Sequence, residues 1–254
     1  MSCTRACRSS SPTPGTAVRP GVFEALGFAA LATTSSGLAF TLGRLDGTVT
    51  LEEIEAHVRL LDSVSGLPVS VDLENGYGPS PEDAARAIVT VAAAGAVGGS
   101  IEDYDRDEGR LYELEEASER IAAAAEAAAA LDFPFTLTAR AENFLRGNPD
   151  LDDTVARLRA YEEAGADVLY APGLKTIEEV RAVCAAVAKP VNVLARPNFA
   201  LDELVEAGAQ RVSVGGSLAW SGVEAAAAAA EAIRDRGDFS GLGSLNRVRE
   251  WLMH

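Results

Sequence analysis

Residues 69–101 read VSVDLENGYGPSPEDAARAIVTVAAAGAVGGSI and contain one complete strand–helix–strand unit. The apolar run Val69–Leu73 predicts a buried strand, and the Ser-Pro-Glu-Asp run at 80–83 is typical of a helix start. At 93–96, Ala-Ala-Gly-Ala predicts a helix that ends at a left-handed glycine just before the next strand, Gly98–Ile101. Units of this kind build parallel sheets that are covered by helices.

The same unit recurs along the chain, with Glu-Ala-Gly-Ala at 163–166 and again at 206–209. Seven strands are predicted, at Ala29–Thr34, Val69–Leu73, Gly98–Ile101, Phe135–Ala139, Val168–Ala171, Val191–Leu194 and Arg211–Val214. Helices are predicted at Leu51–Ser63, Pro81–Ala94, Leu114–Ala130, Leu151–Ala164, Ile177–Ala188, Leu201–Ala207 and Gly222–Arg236. A doubly wound open sheet is the alternative, but the glycine fingerprint of dinucleotide-binding sheets is missing after the first predicted strand. Polar residues follow several different strands, which favours a (β/α)8 barrel, and 254 residues suit one such domain.

The beginning of the chain does not fit this pattern. An eighth strand would have to precede Val22, but the cluster Ser-Ser-Ser-Pro-Thr-Pro-Gly at 9–15 is typical of turns. We therefore predict an α/β protein, a (β/α)8 TIM barrel whose first strand is poorly formed or missing. Residues 1–21 are expected to form an atypical, disordered N-terminal segment, and residues 22–254 the catalytic barrel domain with C-terminal helices.

Composition narrows the class of protein. The formal net charge of -16 argues against nucleic acid and membrane surfaces as partners, because both attract basic proteins. The chain has no run of about 18 apolar residues, so we expect no membrane span. Three cysteines without the spacing of a disulfide framework fit a reducing cytoplasm. The two histidines, His57 and His254, argue against a histidine-based metal site and a Ser-His-Asp triad.

Two carboxylates, Asp72 and Glu74, end the strand that opens this section. They are two residues apart, so on a strand their side chains point to the same side. Such a pair is costly at the mouth of a buried strand unless a cation or protons neutralise it. Other strand ends carry Glu102, Arg140 and Asn192, and in a barrel all of them open on the same face.

Each of these residues also has a purely structural interpretation. The acids Asp72, Glu74 and Glu102 could form an ion-pair cluster with Arg140 as their buried partner. Asn192 could satisfy backbone groups at the rim of the barrel. Asp46, in the Asp-Gly pair at 46–47, could be a plain turn residue.

Four motifs occur in a fixed order: Thr-Ser-Ser-Gly at 34–37, Asp-Leu-Glu-Asn-Gly-Tyr-Gly at 72–78, Gly-Ser-Ile-Glu-Asp at 99–103 and Thr-Ala-Arg at 138–140. In this combination, about residues 22–240 resemble the isocitrate lyase/phosphoenolpyruvate mutase superfamily, in particular its phosphoenolpyruvate mutase-like and carboxyvinyl-carboxyphosphonate phosphorylmutase-like members. The resemblance implies a cytoplasmic (β/α)8 barrel enzyme that acts on a small carboxylate. It also implies a homo-oligomer, a dimer or a tetramer whose C-terminal helix is swapped between neighbours.

The resemblance further implies a Mg2+ cofactor, with Mn2+ as an alternative. Asp72 would ligate the metal directly, and Glu74 and Glu102 would hold it through water. Hard Mg2+ prefers oxygen ligands and keeps several waters, which fits this set of side chains.

The same resemblance implies a substrate site. Asp46 and Arg140 would be catalytic, with Asp46 beside the reacting bond on a mobile loop and Arg140 on the oxyanion side of the substrate. The substrate-binding residues implied are Ser36, Gly37, Leu38, Arg140 and Asn192, the first three through amides that cap the substrate carboxylate.

Two loops depart from the family pattern. Lyases of isocitrate-type substrates carry a cysteine and a histidine on the loop after the glutamate strand, whereas residues 104–110 read Tyr-Asp-Arg-Asp-Glu-Gly-Arg. Residues 170–173 read Tyr-Ala-Pro-Gly where several relatives have a substrate-facing glutamate. The prediction is therefore a Mg2+-dependent lyase or mutase that cleaves or forms a C–C or P–C bond next to the carbonyl of a small 2-oxo or 2-hydroxy carboxylate, through an enolate. The alternative is a catalytically impaired barrel that only binds a carboxylate metabolite.

The unusual start suggests a separate hypothesis. Members of this superfamily usually begin with a strand and a turn close to Pro-Asn-Ala-Trp-Asp, where this chain has Pro-Thr-Pro-Gly-Thr at 12–16. Codons for the first peptide, read one base later, encode the second. We hypothesise that about residues 1–21 come from a frameshifted translation, with the frame restored near Val22; sequencing the gene afresh would decide.

Overall fold

The computed structural model describes residues 7–10 and 18–252. The strands are β1 (Cys7–Ser10), β2 (Ala30–Ala32), β3 (Val69–Asp72), β4 (Gly98–Glu102), β5 (Tyr104–Asp105), β6 (Arg110–Leu111), β7 (Thr136–Arg140), β8 (Val168–Tyr170), β9 (Val191–Leu194) and β10 (Arg211–Ser213). The helices are α1 (Val18–Ala25), α2 (Ser35–Thr41), α3 (Leu51–Val64), α4 (Pro81–Ala93), α5 (Leu114–Ala129), α6 (Leu151–Glu163), α7 (Ile177–Ala186), α8 (Leu201–Glu206), α9 (Ser217–Arg236) and α10 (Leu245–Leu252).

Eight parallel strands close into a barrel in the order β1-β10-β9-β8-β7-β4-β3-β2. The remaining two strands, β5 and β6, form a small antiparallel hairpin directly after β4. The predicted (β/α)8 barrel is confirmed, and each of the seven predicted strands is present near its predicted position.

The first strand, which was expected to be poorly formed or missing, is present as the four residues of β1. Backbone pairing joins β1 to β10 at Cys7 and Arg8, and to β2 at Ser9 and Ser10. Ladder hydrogen bonds use main-chain groups, so a polar tetrapeptide can fill the gap between two open strand edges. This strand lies inside the segment 1–21 that was expected to be disordered. Residues 11–17, which include the peptide behind the frameshift hypothesis, lie outside the described residues.

The repeated helix-to-strand joints take the predicted form. Gly95, Gly165 and Gly208 have φ values of 108°, 103° and 106°, a region that favours glycine. A Cβ atom on Gly208 would also lie 2.9 Å from the Cβ atom of Cys184 on α7. Glycine therefore allows each helix to end abruptly and the next strand to begin close to the neighbouring helix.

Side chains alternate along the barrel strands. The cavity inside the barrel is lined by apolar residues together with many polar ones, among them Ser70, Asp72, Ser100, Glu102, Thr136, Arg140, Asn192, Arg211 and Ser213. The alternate positions pack in the apolar core and include Val69, Val71, Ile101, Leu137, Ala139, Leu169, Val191 and Val193. This alternation places polar groups where the strands converge. Among the described residues, no helix is long and apolar enough to span a membrane.

Candidate active site

A cavity of about 490 Å³ extends into the barrel from the ends of the strands. Six of the residues predicted for the site line it: Ser36, Asp46, Asp72, Glu102, Arg140 and Asn192. Glu74 is buried beside them, while Gly37 and Leu38 are buried in the first turn of α2. The fold thus brings together residues from β3, β4, β7, β9, α2 and the loop after α2.

Asp72, at the end of β3, is held by donors from two directions. Its Oδ2 atom accepts hydrogen bonds from the backbone nitrogen and the hydroxyl of Ser35, both at 3.0 Å. Its Oδ1 atom accepts from Nη1 of Arg140 at 2.8 Å. The Ser35 hydroxyl also lies 3.2 Å from Oδ1 of Asp46, so one side chain reaches both carboxylates. Ser35 was not among the predicted residues; its position at the start of α2 is what aims it at β3.

The first turn of α2 offers fewer free amides than predicted. Leu38 donates its backbone N–H to the carbonyl of Thr34, because it is the first residue of the helix with an acceptor one turn earlier. The backbone N–H groups of Ser36 and Gly37 come earlier in the helix, where no carbonyl lies one turn before them. The predicted role of Leu38 in capping a carboxylate is therefore at odds with its hydrogen bond, and two amides of the predicted three fit that role.

Glu74 and Glu102 are the most deeply buried of the predicted metal ligands, with 4% and 2% of their surface exposed. Burial raises the pKa of Glu74 to about 7. Burial, and then the nearby Glu142 carboxylate, raise the pKa of Glu102 as well. Among the described residues, Oε1 of Glu74 has no hydrogen-bond donor, and Oε2 of Glu102 has an ion pair with Arg140 in place of a well-aligned hydrogen bond. Both carboxylates therefore favour a proton or a cation over the bare charged state.

Arg140 is the central cation of the site. Its Nη2 atom lies 3.0 Å from Oε2 of Glu102 and 2.6 Å from Oε1 of Glu142, and its guanidinium lies 5.4 Å from the centre of the Tyr170 ring. Arg140 is thus a buried ion-pair partner of the acids, as its structural interpretation expects. It also lies on the cavity wall, where its guanidinium is available to a bound anion.

Two further arginines join the acids. Arg146, in the loop after β7, lies 3.3 Å from Glu102 and 3.1 Å from Glu142. Arg106, in the β5–β6 hairpin, lies 3.1 Å from Glu74 and 3.3 Å from Asp46. The sequence offers one signal for Arg106, its position in the loop 104–110, which departs from the family pattern by having no cysteine or histidine.

The acidic and basic side chains of the site form one acid cluster, and one divalent cation would balance its net charge. It contains five carboxylates (Asp46, Asp72, Glu74, Glu102, Glu142) and three guanidiniums (Arg106, Arg140, Arg146), so full ionisation leaves two negative charges. In the described chain, no group of three or more His, Cys, Asp or Glu side chains is arranged to ligate a metal directly. A hydrated Mg2+ with one direct ligand and water-mediated contacts does not require such a group. The residues therefore fit a divalent cation.

Asn192 is buried inside the barrel with both ends of its amide occupied. Its Nδ2 atom donates to the Ser213 hydroxyl at 3.0 Å, and its Oδ1 atom accepts from Nε of Arg211 at 3.0 Å. Both partners are side chains and not the backbone groups of the structural interpretation. Asn192 also lies on the cavity wall, where it would lie beside a bound molecule.

Asp103 is a buried residue that links the segment after β7 to α6. Its carboxylate accepts hydrogen bonds from Tyr161 at 2.5 Å, from Arg157 at 3.0 Å and from the backbone nitrogen of Glu142 at 2.7 Å. It therefore positions the segment that carries Glu142, and it does not face the cavity. Asn143, the next residue, pairs with Thr154 and is likewise structural.

Comparison with known proteins agrees with this arrangement of fold and site. The chain belongs to the phosphoenolpyruvate phosphomutase family, whose model matches residues 18–234. This family falls within the isocitrate lyase/phosphoenolpyruvate mutase superfamily, whose members are lyases and mutases.

Individual relatives differ in their reactions. The chain is 32% identical over 221 residues to the oxaloacetate decarboxylase of Rhodopseudomonas palustris (strain BisB5), covering 78% of this chain and 74% of that protein. It is 32% identical over 192 residues to the 2-methylisocitrate lyase of Escherichia coli (strain K12), covering 70% of this chain and 64% of that protein. A crystal structure from Burkholderia cenocepacia J2315, described as a candidate lyase/mutase, shares 46% identity and a TM-score of 0.92, covering 99% of this chain and 93% of that one.

Proposed function

We propose that this chain is a divalent-cation-dependent enzyme that cleaves or forms a C–C or P–C bond next to the carbonyl of a small 2-oxo or 2-hydroxy carboxylate, through an enolate. One observation carries the proposal: the buried carboxylates Glu74 and Glu102 lie beside Asp72 in a cluster with two negative charges in excess, and Oε1 of Glu74 has no donor among the described residues. Such a cluster is costly by itself and is stabilised by a divalent cation.

The proposed cofactor is Mg2+, with Mn2+ as an alternative. Asp72 would hold it directly, and Glu74 and Glu102 through water. When bound, the cation would stabilise the negative charge that develops on a substrate oxygen as the bond next to the carbonyl breaks.

The other side chains have roles that follow from their positions. Arg140 would bind the oxyanion side of the substrate, because its guanidinium faces the cavity. The amides of Ser36 and Gly37 would cap the substrate carboxylate at the start of α2. Asp46 would stand above the reacting bond, on the loop between α2 and α3 that Arg106 and Ser35 tie to the site.

The hairpin of β5 and β6 narrows the choice of reaction. It carries no cysteine or histidine that could donate a proton to a departing fragment. Loss of CO2 requires no proton on the leaving group, and the resulting enolate can be protonated by water. Decarboxylation of a 2-oxo dicarboxylate, the activity named for one relative, is therefore the first reaction to test, followed by cleavage of a phosphonate.

The deciding experiment measures pyruvate release from oxaloacetate, phosphonopyruvate and methylisocitrate, with Mg2+ or with a chelator. Enzyme-free samples with Mg2+ correct for spontaneous decarboxylation. We expect one substrate to be turned over by the wild type and not by Asp72→Ala, while the exposed control Asp132→Ala keeps wild-type rates. Circular dichroism would check that both variants fold. Turnover by Asp72→Ala at the wild-type rate would refute the metal role, and no turnover of any of the three substrates would refute this substrate class.

An incomplete barrel and the altered hairpin would both favour the impaired-barrel alternative. The strand β1 closes the barrel, so the first of these arguments does not apply. We therefore retain the enzyme as the proposal.

We also propose that the protein is a cytoplasmic homo-oligomer, a dimer or a tetramer with a swapped C-terminal helix. Of the 20 residues of α9, Ala219 is the buried one, while Leu218, Trp220 and Val223 are exposed. A second copy would cover this apolar surface. Light scattering on the purified chain tests this, since a monomer at micromolar concentration would contradict it. The free thiol of Cys184 fits a reducing compartment.

A further inference from the structure

Arg106 contacts two of the three proposed cation ligands. Its Nε atom lies 3.1 Å from Oε2 of Glu74, and its Nη2 atom lies 3.6 Å from Oε1 of Glu102. Both carboxylates are buried, whereas the Arg106 side chain keeps 23% of its surface exposed. A positive group from the rim of the barrel thus reaches down to the acids that a cation would require.

The same guanidinium joins two loops across the mouth of the cavity. Its Nη2 atom donates to Oδ2 of Asp46 at 3.3 Å. Gly47 follows with a φ of 79°, and a Cβ atom there would lie 2.8 Å from Nη1 of Arg106. Glycine at this position therefore leaves the space in which the guanidinium lies.

The hairpin is built to present this side chain. Asp105 is buried and accepts hydrogen bonds from the backbone nitrogens of Asp107 and Glu108 at 3.0 and 3.1 Å. These bonds fix the turn on both sides of Arg106. Arg110, on the other strand of the hairpin, instead pairs with the half-buried Glu116 and does not reach the acids.

We propose that Arg106 is a built-in competitor for the divalent cation of this site. The inference rests on the proposed function, because it takes Glu74 and Glu102 as cation ligands. A hydrated cation would be held by the same two carboxylates, and two positive groups held a few Å apart repel each other in a buried site. Arg106 therefore neutralises Glu74 and Glu102 in the cation-free protein, and it must leave them when the cation binds.

Competition sets the affinity for the cation. With Arg106 in place the acid cluster has two negative charges in excess, and without it the cluster has three. Removal of Arg106 therefore increases the attraction for a cation and also abolishes the work of displacing the guanidinium. A purely structural salt bridge would have the opposite effect, because its loss would disorder the ligands and weaken binding.

The test is a titration with Mn2+ alone, in which electron paramagnetic resonance reports the free ion. It compares the wild type with Arg106→Gln, Arg106→Lys and the matched control Arg110→Gln, which removes the same charge from the same hairpin. We expect Arg106→Gln to bind Mn2+ about tenfold more tightly or better, and Arg110→Gln to stay within about twofold of the wild type. Arg106→Lys should lie between them, because its amine keeps the charge but not the bidentate reach.

Asp72→Ala separates the two proposals in the same titration. Unchanged or weaker binding by a folded Arg106→Gln, together with loss of binding in Asp72→Ala, would overturn the competitor and leave the metal site standing. Wild-type binding by Asp72→Ala, or no binding by any variant, would overturn the metal site and with it the competitor. If Arg106→Gln fails to fold by circular dichroism, Arg106→Lys decides, since wild-type affinity or weaker binding there would overturn the inference.

Discussion

Nη1 of Arg140 lies 2.8 Å from Oδ1 of Asp72, and this ion pair spans the strand that separates β7 from β3. That middle strand, β4, ends in Glu102, which contacts the same guanidinium. One side chain thus ties together the ends of three neighbouring strands. Arg140 therefore stabilises the site before any ligand arrives, and this structural role is compatible with its proposed role in binding substrate.

Substitution of Arg140 by methionine should destabilise the protein. It would leave Glu102 and Glu142 buried without their main cation, and loss of one partner of a buried pair costs about 3–5 kcal/mol. We expect urea unfolding at pH 8 in metal-free buffer to show a loss of that size, with a smaller loss for Arg140→Lys.

The matched control for Arg140 is Arg59→Met. Arg59 pairs with Glu55 on the exposed face of α3, and pairs of this kind contribute about 0.5 kcal/mol or less. Equal stabilities of Arg140→Met and Arg59→Met would show that the buried ion pairs do not stabilise the fold.

Asp103 gives a second prediction about stability. Asp103→Asn would remove the negative charge that pairs with Arg157, so we expect a loss of about 3 kcal/mol in chemical unfolding. Asp153 contacts the same arginine at 3.0 Å from a more exposed position, and Asp153→Asn should cost less than about 1 kcal/mol. A larger loss for Asp153→Asn than for Asp103→Asn would reverse this assignment of the buried partner.

The barrel could be predicted because its signals are local. Each helix-to-strand joint at Gly95, Gly165 and Gly208 is a property of a few consecutive residues, and the parallel order follows from their repetition. β1 could not be predicted in this way. Its four residues, three of them polar, form a strand because β2 and β10 leave a gap of the right width, and that gap exists only in the closed barrel.

The site was predictable to the extent that strand ends carry it. Asp72, Glu102 and Arg140 lie together because their strands are neighbours. Ser35 and Arg106 reach the acids from a helix start and a hairpin, and the sequence does not reveal the direction in which these elements project. Leu38 is the opposite case. It was predicted to bind substrate through its amide, but that amide donates a hydrogen bond within the helix.

Glu74 gives a prediction for pH dependence in the metal-free protein. Burial raises its pKa from 4.5 to about 7, so its folded form binds a proton more tightly than its unfolded form. The stability associated with this proton is fully present below about pH 4.5 and is lost as the pH rises through about 7, a change of up to about 3 kcal/mol. We therefore expect the wild type to become less stable relative to Glu74→Gln between pH 5 and pH 8.

Urea unfolding of both proteins at each pH measures this difference directly. Burial lowers the pKa of His57 to about 4, so its titration makes the protein more stable as the pH rises from about 4 to 6.5. That contribution is common to the wild type and Glu74→Gln, and it cancels in the comparison. Saturating Mg2+ should reduce the gap at pH 8, because a cation replaces the proton in neutralising the carboxylate. A gap that stays constant from pH 5 to pH 8 would show that Glu74 does not bind a proton in the folded protein over this range.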